Sequence, residues 1–253
     1  SSSGKSTVFM SILELYTALL DISSTFLIED NGVMLKSPNP LENSPHVLVI
    51  GMGGTIAGIA PDPKAKPTSY KSGELAVETL LNGVQGAMPR DLKLVSWQLA
   101  NIDSRNLGED LLTRLGNAVK DSLTNPAVQG IVITHGTDTA EETGFFLSAT
   151  CGRLAQKLGK RVVLTGAMLP ANALQADGPS NLADALKWAA IDPENRPGGV
   201  FAVFAGKVCL ARDLSKRHSS ALNAPLMDAP ASPIDPLNSD WLSWLKVFEA
   251  TSG

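Results

Sequence analysis

The chain has 253 residues, 43% of them hydrophobic and 18% charged, which is the balance of a globular protein with a sizeable core. That composition excludes a disordered, collagen-like or coiled-coil chain. A net charge of −4 gives no electrostatic case for nucleic acid as the main partner, and three His with two widely separated Cys (Cys151 and Cys209) suggest neither a metal cage nor a disulfide framework.

Residues Ser1 to Thr7 read SSSGKST, which resembles the end of a Walker A phosphate loop of ABC-type ATPases. The loop needs a first Gly that would fall before Ser1. No preceding strand and no second carboxylate motif for Mg²⁺ is visible in residues 1–45. The segment therefore reads as an extension joined to an unrelated domain, with nucleotide binding through Lys5 as the alternative. Val8 to Ile28 is apolar but broken by Glu14 and Asp21. No stretch reaches the roughly 20 uninterrupted apolar residues of a membrane span, and the basic start and small-residue cleavage site of a signal peptide are missing. No membrane partner is expected. The chain opens on Ser1 rather than Met, so targeting is not readable, and the cytoplasm is the favoured compartment. Lys36 to Pro45 (KSPNPLENSP) is polar and Pro-rich, and reads as a linker.

From His46 onward, short apolar runs alternate with longer amphipathic ones. HVLVIG (46–51), LKLVSWQL (92–99), VQGIVITHG (128–136), RVVLTGA (161–167) and GVFAVFAG (199–206) are apolar on both faces, as buried parallel strands are. Helices are predicted over Gly73–Leu81, Glu109–Leu123, Thr139–Leu158 and Ser180–Ala190. In the second of these, Leu111, Leu112, Leu115, Ala118, Val119 and Leu123 line one face. Strand–helix alternation predicts an α/β fold, a parallel sheet with helices on both faces. In such sheets ligands sit beyond the carboxyl ends of the strands.

The first strand runs into Gly51-Met52-Gly53-Gly54-Thr55-Ile56-Ala57-Gly58. A dinucleotide fingerprint would need Gly where Ile56 stands. The turn instead presents the Thr55 hydroxyl at the mouth of the sheet, either as a purely structural cap or as a reactive group. After the second strand comes the polar cluster Asn101-Ile102-Asp103-Ser104-Arg105-Asn106. The third strand ends in Thr134-His135-Gly136-Thr137-Asp138-Thr139, where Thr139 or Asp138 could cap the next helix, Thr139 in a capping box with Glu142. Three strand ends thus carry hydroxyls and carboxylates, and no histidine triad is evident. Threonine is a weak nucleophile until its proton is removed. A neutral Lys could remove it, burial favouring that form and a nearby Asp opposing it. The spacing does not choose which Thr would attack.

Taken together, GMGGTIAG (51–58), ITHGTDTAEET (133–143) and LTGAMLPANALQADGPSNL (164–182) resemble the bacterial-type L-asparaginase family, which includes asparaginase–glutaminases. The resemblance covers His46 to Ile234 and corresponds to the family's N-terminal domain. It implies hydrolysis of L-asparagine, or L-glutamine, to the acid and ammonia, with no cofactor and no metal, in a homodimer or homotetramer. It implies Thr55 as nucleophile and Tyr70, in the mobile Pro67-to-Gly73 loop, as the group that helps activate it. Ser104 is implied to hold the substrate's α-carboxylate, with Gly136 also at the substrate. Thr137 and Asp138 match the second catalytic threonine and the aspartate that takes the α-amino group. Lys216, in Arg212-Asp213-Leu214-Ser215-Lys216, matches the catalytic lysine. Asp177 is given structural support only.

Two departures from the pattern stand out. Arg105 replaces an uncharged polar residue of several members; it either pairs with the substrate carboxylate or points to solvent. The family continues as a smaller C-terminal domain, through which a neighbouring subunit completes the site with an acidic residue. Here the likeness fades after Pro233. Asp235 to Gly253 looks unrelated, with Trp241, Trp244 and Phe248 covering a surface left bare or lying loose. The C-terminal domain is therefore expected to be absent. A non-catalytic amino-acid-binding domain is the alternative function.

Overall fold

The computed structural model describes residues 44–62, 70–89, 91–190, 197–215 and 232–233. The Walker-like segment, the run from Val8, most of the linker, and Trp241, Trp244 and Phe248 lie outside the described residues.

The apolar runs form strands β1 (His46–Gly53), β2 (Leu94–Ile102), β3 (Val128–Thr134), β4 (Arg161–Thr165) and β5 (Gly199–Phe204). Every residue of β1 is buried, as befits a strand with neighbours on both edges and helices on both faces. The sheet order is β2-β1-β3-β4-β5, all parallel, continued by the antiparallel strands β6 (Lys207–Leu210) and β7 (Ser232–Pro233). The order 2-1-3-4-5 reverses direction between β1 and β3, and a crevice opens at the carboxyl ends of strands where that happens.

Among the described residues, four helices cover the sheet: α1 (Val77–Val84), α2 (Glu109–Thr124), α3 (Ala140–Lys157) and α4 (Gly178–Ala190). Strand side chains alternate between two cores. Leu48, Ile50, Ile131, Ile133 and Leu164 pack with Leu115, Val119 and Leu147 of α2 and α3. Val47, Val49, Val132 and Val163 pack with Val77 and Leu81 of α1 and with Leu182 and Leu186 of α4.

Three details depart from the sequence reading. The segment expected to be helical from Gly73 stays irregular until Val77. Gly73 has φ +67°, and its N–H is spent on Gly54 O at 3.2 Å. The first N–H of α1, from Val77, is satisfied by Gln98 Oε1 of β2 at 2.7 Å. The run 199–206 is not one strand but the start of a hairpin. Ala205 and Gly206 turn at φ +49° and +71°, which matches a two-residue loop with both central residues left-handed. An Ala is poorly suited to that conformation, and its N–H is held by Asn181 Oδ1 at 2.9 Å. Finally, α2 ends on a distant cation: Lys160 Nζ donates to Leu123 O and Asn125 O at 2.7 and 2.6 Å, and burial lowers its pKa.

Candidate active site

The site is built where β1, β2 and β3 end. β1 passes through Gly53 (φ +88°) and Gly54 (φ +78°) into a single 3-10 turn, Thr55–Ala57. Gly54 N donates to Ile102 O of β2 at 2.8 Å. A Cβ on Gly54 would stand 2.4 Å from both N and Cα of Gly136, and one on Gly136 would stand 2.5 Å from Ser104 Oγ. The first and third turns are therefore packed backbone to backbone, an approach only residues without a side chain allow, and the third lies directly against the Ser104 side chain. A further bond ties two of them, from Thr139 Oγ1 to Ser104 O at 3.0 Å.

Thr55, Ser104 and Thr137 are all buried, at 7%, 4% and 5% exposure, so three hydroxyl-bearing residues of three strand ends lie under the surface of the crevice. The Thr55 hydroxyl is 2.6 Å from the Tyr70 hydroxyl. Tyr70 is held in place from both sides. Its ring lies against Gly58, where a Cβ would come within 2.7 Å of Cδ2. Its neighbour Lys71 exchanges two backbone bonds with Ile59, both 3.0 Å. Asp138 is half exposed, with Arg105 Nε 3.9 Å from its Oδ2, and Arg105 itself is 73% exposed and bonded to Asp103. Arg105 is thus exposed, beside the acidic residue of the third turn. Lys216 lies outside the described residues.

Several partners were not read from the sequence. His135 is buried, its Nδ1 2.7 Å from Gly136 O and its Nε2 3.2 Å from Thr143 Oγ1. A carbonyl can only accept, so Nδ1 carries the proton and Nε2 accepts from Thr143. Burial lowers the pKa of the ring. The residue acts as a brace between the third turn and α3. Thr139 stands at the N-cap of α3, yet its hydroxyl makes no capping bond; the capping box gives way to the bond with Ser104. Asp177 accepts from Met168 N and Leu169 N at 2.9 Å each, and from Asn181 Nδ2 at 3.2 Å, which fastens the loop after β4. Asn172 exchanges two bonds with the backbone of Ala60, at 2.9 and 2.8 Å, fastening the same loop to the first turn. Of these, only Asp177 carries an expectation of structural support, from the family resemblance.

The family model for the N-terminal domain of asparaginase matches residues 46–240. The chain belongs to the asparaginase family. L-asparaginase 2 of Bacillus subtilis (strain 168) is 37% identical over 189 residues, covering 74% of this chain and 48% of that protein. Glutaminase-asparaginase of Acinetobacter glutaminasificans is 36% identical over 172 residues, covering 68% and 49%. L-asparaginase 2 of Escherichia coli (strain K12) is 35% identical over 177 residues, covering 70% and 47%. The chain thus spans about half the length of these curated asparaginase relatives. Among solved structures, a probable cytoplasmic L-asparaginase from Campylobacter jejuni is 32% identical with a TM-score of 0.65, covering 77% of this chain and 60% of that one. Among the described residues, no helix is long and apolar enough to cross a membrane.

Proposed function

We propose that this asparaginase-family chain hydrolyses the side-chain amide of L-asparagine, or of L-glutamine, to the acid and ammonia. The observation that carries the reading is the 2.6 Å contact between the Thr55 and Tyr70 hydroxyls at the end of β1, beside the packed turns of Ser104 and Gly136. The named relatives, L-asparaginases and a glutaminase-asparaginase, support the substrate class.

In this reading Thr55 Oγ attacks the amide carbon, its proton passing to the Tyr70 oxygen as Tyr70 hands its own phenolic proton on to the leaving nitrogen. The tetrahedral oxyanion is stabilised by backbone N–H groups of the glycine turn, donors that cost no reorganisation. The C–N bond breaks, nitrogen takes up a proton and leaves as ammonia. Water then attacks the Thr55 ester, releasing the free acid and restoring the hydroxyl. Thr137, Asp138 and Lys216 form the second proton-handling group, in which Asp138 also takes the substrate's α-ammonium. Ser104, Gly136 and Arg105 receive the α-carboxylate. The protein works as a homodimer or homotetramer in the cytoplasm.

Ammonia release from both amides tests this, with Thr55→Ala and Thr137→Ala beside the unaltered chain. A loss of about 10³-fold or more in each variant is expected, the scale of removing one member of a nucleophile group. Three equally inert proteins that still bind L-aspartate by calorimetry would instead make it a non-catalytic amino-acid-binding domain.

A further inference from the structure

Asp103 precedes the short 3-10 turn Ser104–Asn106 and caps it, its Oδ1 accepting from Arg105 N at 3.0 Å. The same carboxylate grips the Arg105 side chain, Nε to Oδ1 at 3.0 Å and Nη2 to Oδ2 at 2.7 Å. Ser72 Oγ adds a fourth donor to Oδ2 at 3.4 Å. One carboxylate thus joins the segment of Tyr70, two residues before Ser72, to the turn of Ser104. Isolated exposed ion pairs contribute little to stability. A bidentate Arg–carboxylate fork fixes direction, which is a different service.

The direction is informative. Asp103 is 24% exposed and Arg105 73%, so the acid is the anchor and the guanidinium is the part that reaches out. The fork uses Nε and one hydrogen of Nη2. That leaves Nη1 and the outer Nη2 hydrogen, the end-on edge of the guanidinium, which matches a second carboxylate. Asp138 Oδ2 lies 3.9 Å from Arg105 Nε, on the edge already given to Asp103, so the clamped guanidinium and a second carboxylate are neighbours. The Arg105 fork also keeps Asp103 ionised, holding its pKa down at about 2.

We propose that Asp103 is a positioning residue: by clamping Arg105 it aims the free edge of the guanidinium so that, with Asp138, it brackets the carboxylate and ammonium of a zwitterionic α-amino acid. Arg105 has lost its rotamer freedom before the ligand arrives, so less is lost on binding. The inference rests on the substrate reading above.

The test is calorimetric binding of L-aspartate, the reaction's product, to the full chain and to Asp103→Asn, Asp103→Ser, Arg105→Gln and Asp103→Asn/Arg105→Gln. Each single change should weaken binding about tenfold, and the double change no more than the worse single one, with thermal midpoints close to that of the unaltered chain. Asp103→Ser keeps a cap acceptor and guards against a folding defect in Asp103→Asn. Unchanged binding in both Asp103 variants overturns the inference. So does an Asp103→Asn loss that persists undiminished in the Arg105→Gln background, because Asp103 would then act by another route. A folded, unaltered chain that ignores L-aspartate overturns the substrate reading itself, and this one with it.

Discussion

The hydroxyls of Thr55 and Tyr70 lie 2.6 Å apart across fifteen residues of chain. Two hydroxyls at that distance are hydrogen-bonded, and each is placed by backbone rather than by chance of rotamer: Thr55 by the turn leaving β1, Tyr70 by the Ile59–Lys71 pair. Tyr70→Phe removes the acceptor and leaves the ring on Gly58. It should lower kcat for ammonia release about 10²-fold, the scale of general-base assistance, with KM and thermal midpoint nearly unchanged. A steady-state comparison decides it.

Gly54 is expected to be the least replaceable small residue of the site. Its φ is +78°, and an added Cβ would meet backbone of Gly136 at 2.4 Å. Backbone cannot swing aside as a side-chain tip can. Gly54→Ala should cost about 3 kcal/mol or more in urea unfolding, strain and overlap acting together. Gly83, inside α1 with nothing within 4 Å of its added Cβ, is the matched control. Gly83→Ala should stabilise by about 0.5–1 kcal/mol through helix propensity and a less free unfolded chain.

His135 makes stability depend on pH. Its folded pKa lies below the ordinary value of 6.5, because burial disfavours the cation. The unfolded chain therefore binds a proton below about pH 6.5 that the folded chain does not. Stability from this residue is complete above that pH and falls on acidification, with a slope approaching about 1.4 kcal/mol per pH unit. His135→Asn should be less stable at pH 7.5 but flatter between pH 6.5 and 5. Denaturant titrations at four pH values would read this, and equal slopes in the two proteins would contradict it.

Asp177 fastens the loop after β4. Asp177→Ala strips partners from the N–H groups of Met168 and Leu169. A cost of about 2–4 kcal/mol is expected for two unsatisfied donors. Asp177→Asn, which keeps one acceptor oxygen, should lose about half as much. Chemical unfolding of both variants checks the ratio.

The layered α/β plan was legible because buried strands and amphipathic helices leave periodic marks, and β1 through β5 lie where the apolar runs are. What was not legible is contact between residues far apart in the chain. Nothing near Gln98 announces that it would start α1, and nothing near Lys160 that it would end α2. The β6 hairpin escaped because its turn begins with Ala205, a residue that rarely adopts positive φ, so only Gly206 marked it. Thr139 had the spacing of a capping box, and a competing acceptor, Ser104 O, took its hydroxyl. Asp103 sat unassigned in a quoted polar cluster, since its four donors come from its own turn and from Ser72 thirty-one residues earlier.

The place of β1 between β2 and β3 sets an order of assembly. During synthesis the ribosome delivers the Thr55 turn early, yet one flank of its strand, β3, and the Gly136 backbone it packs against arrive about eighty residues later. A nascent chain halted after β2 would carry Thr55 without its crevice. The crevice around Thr55 is thus completed only when the third turn has been made.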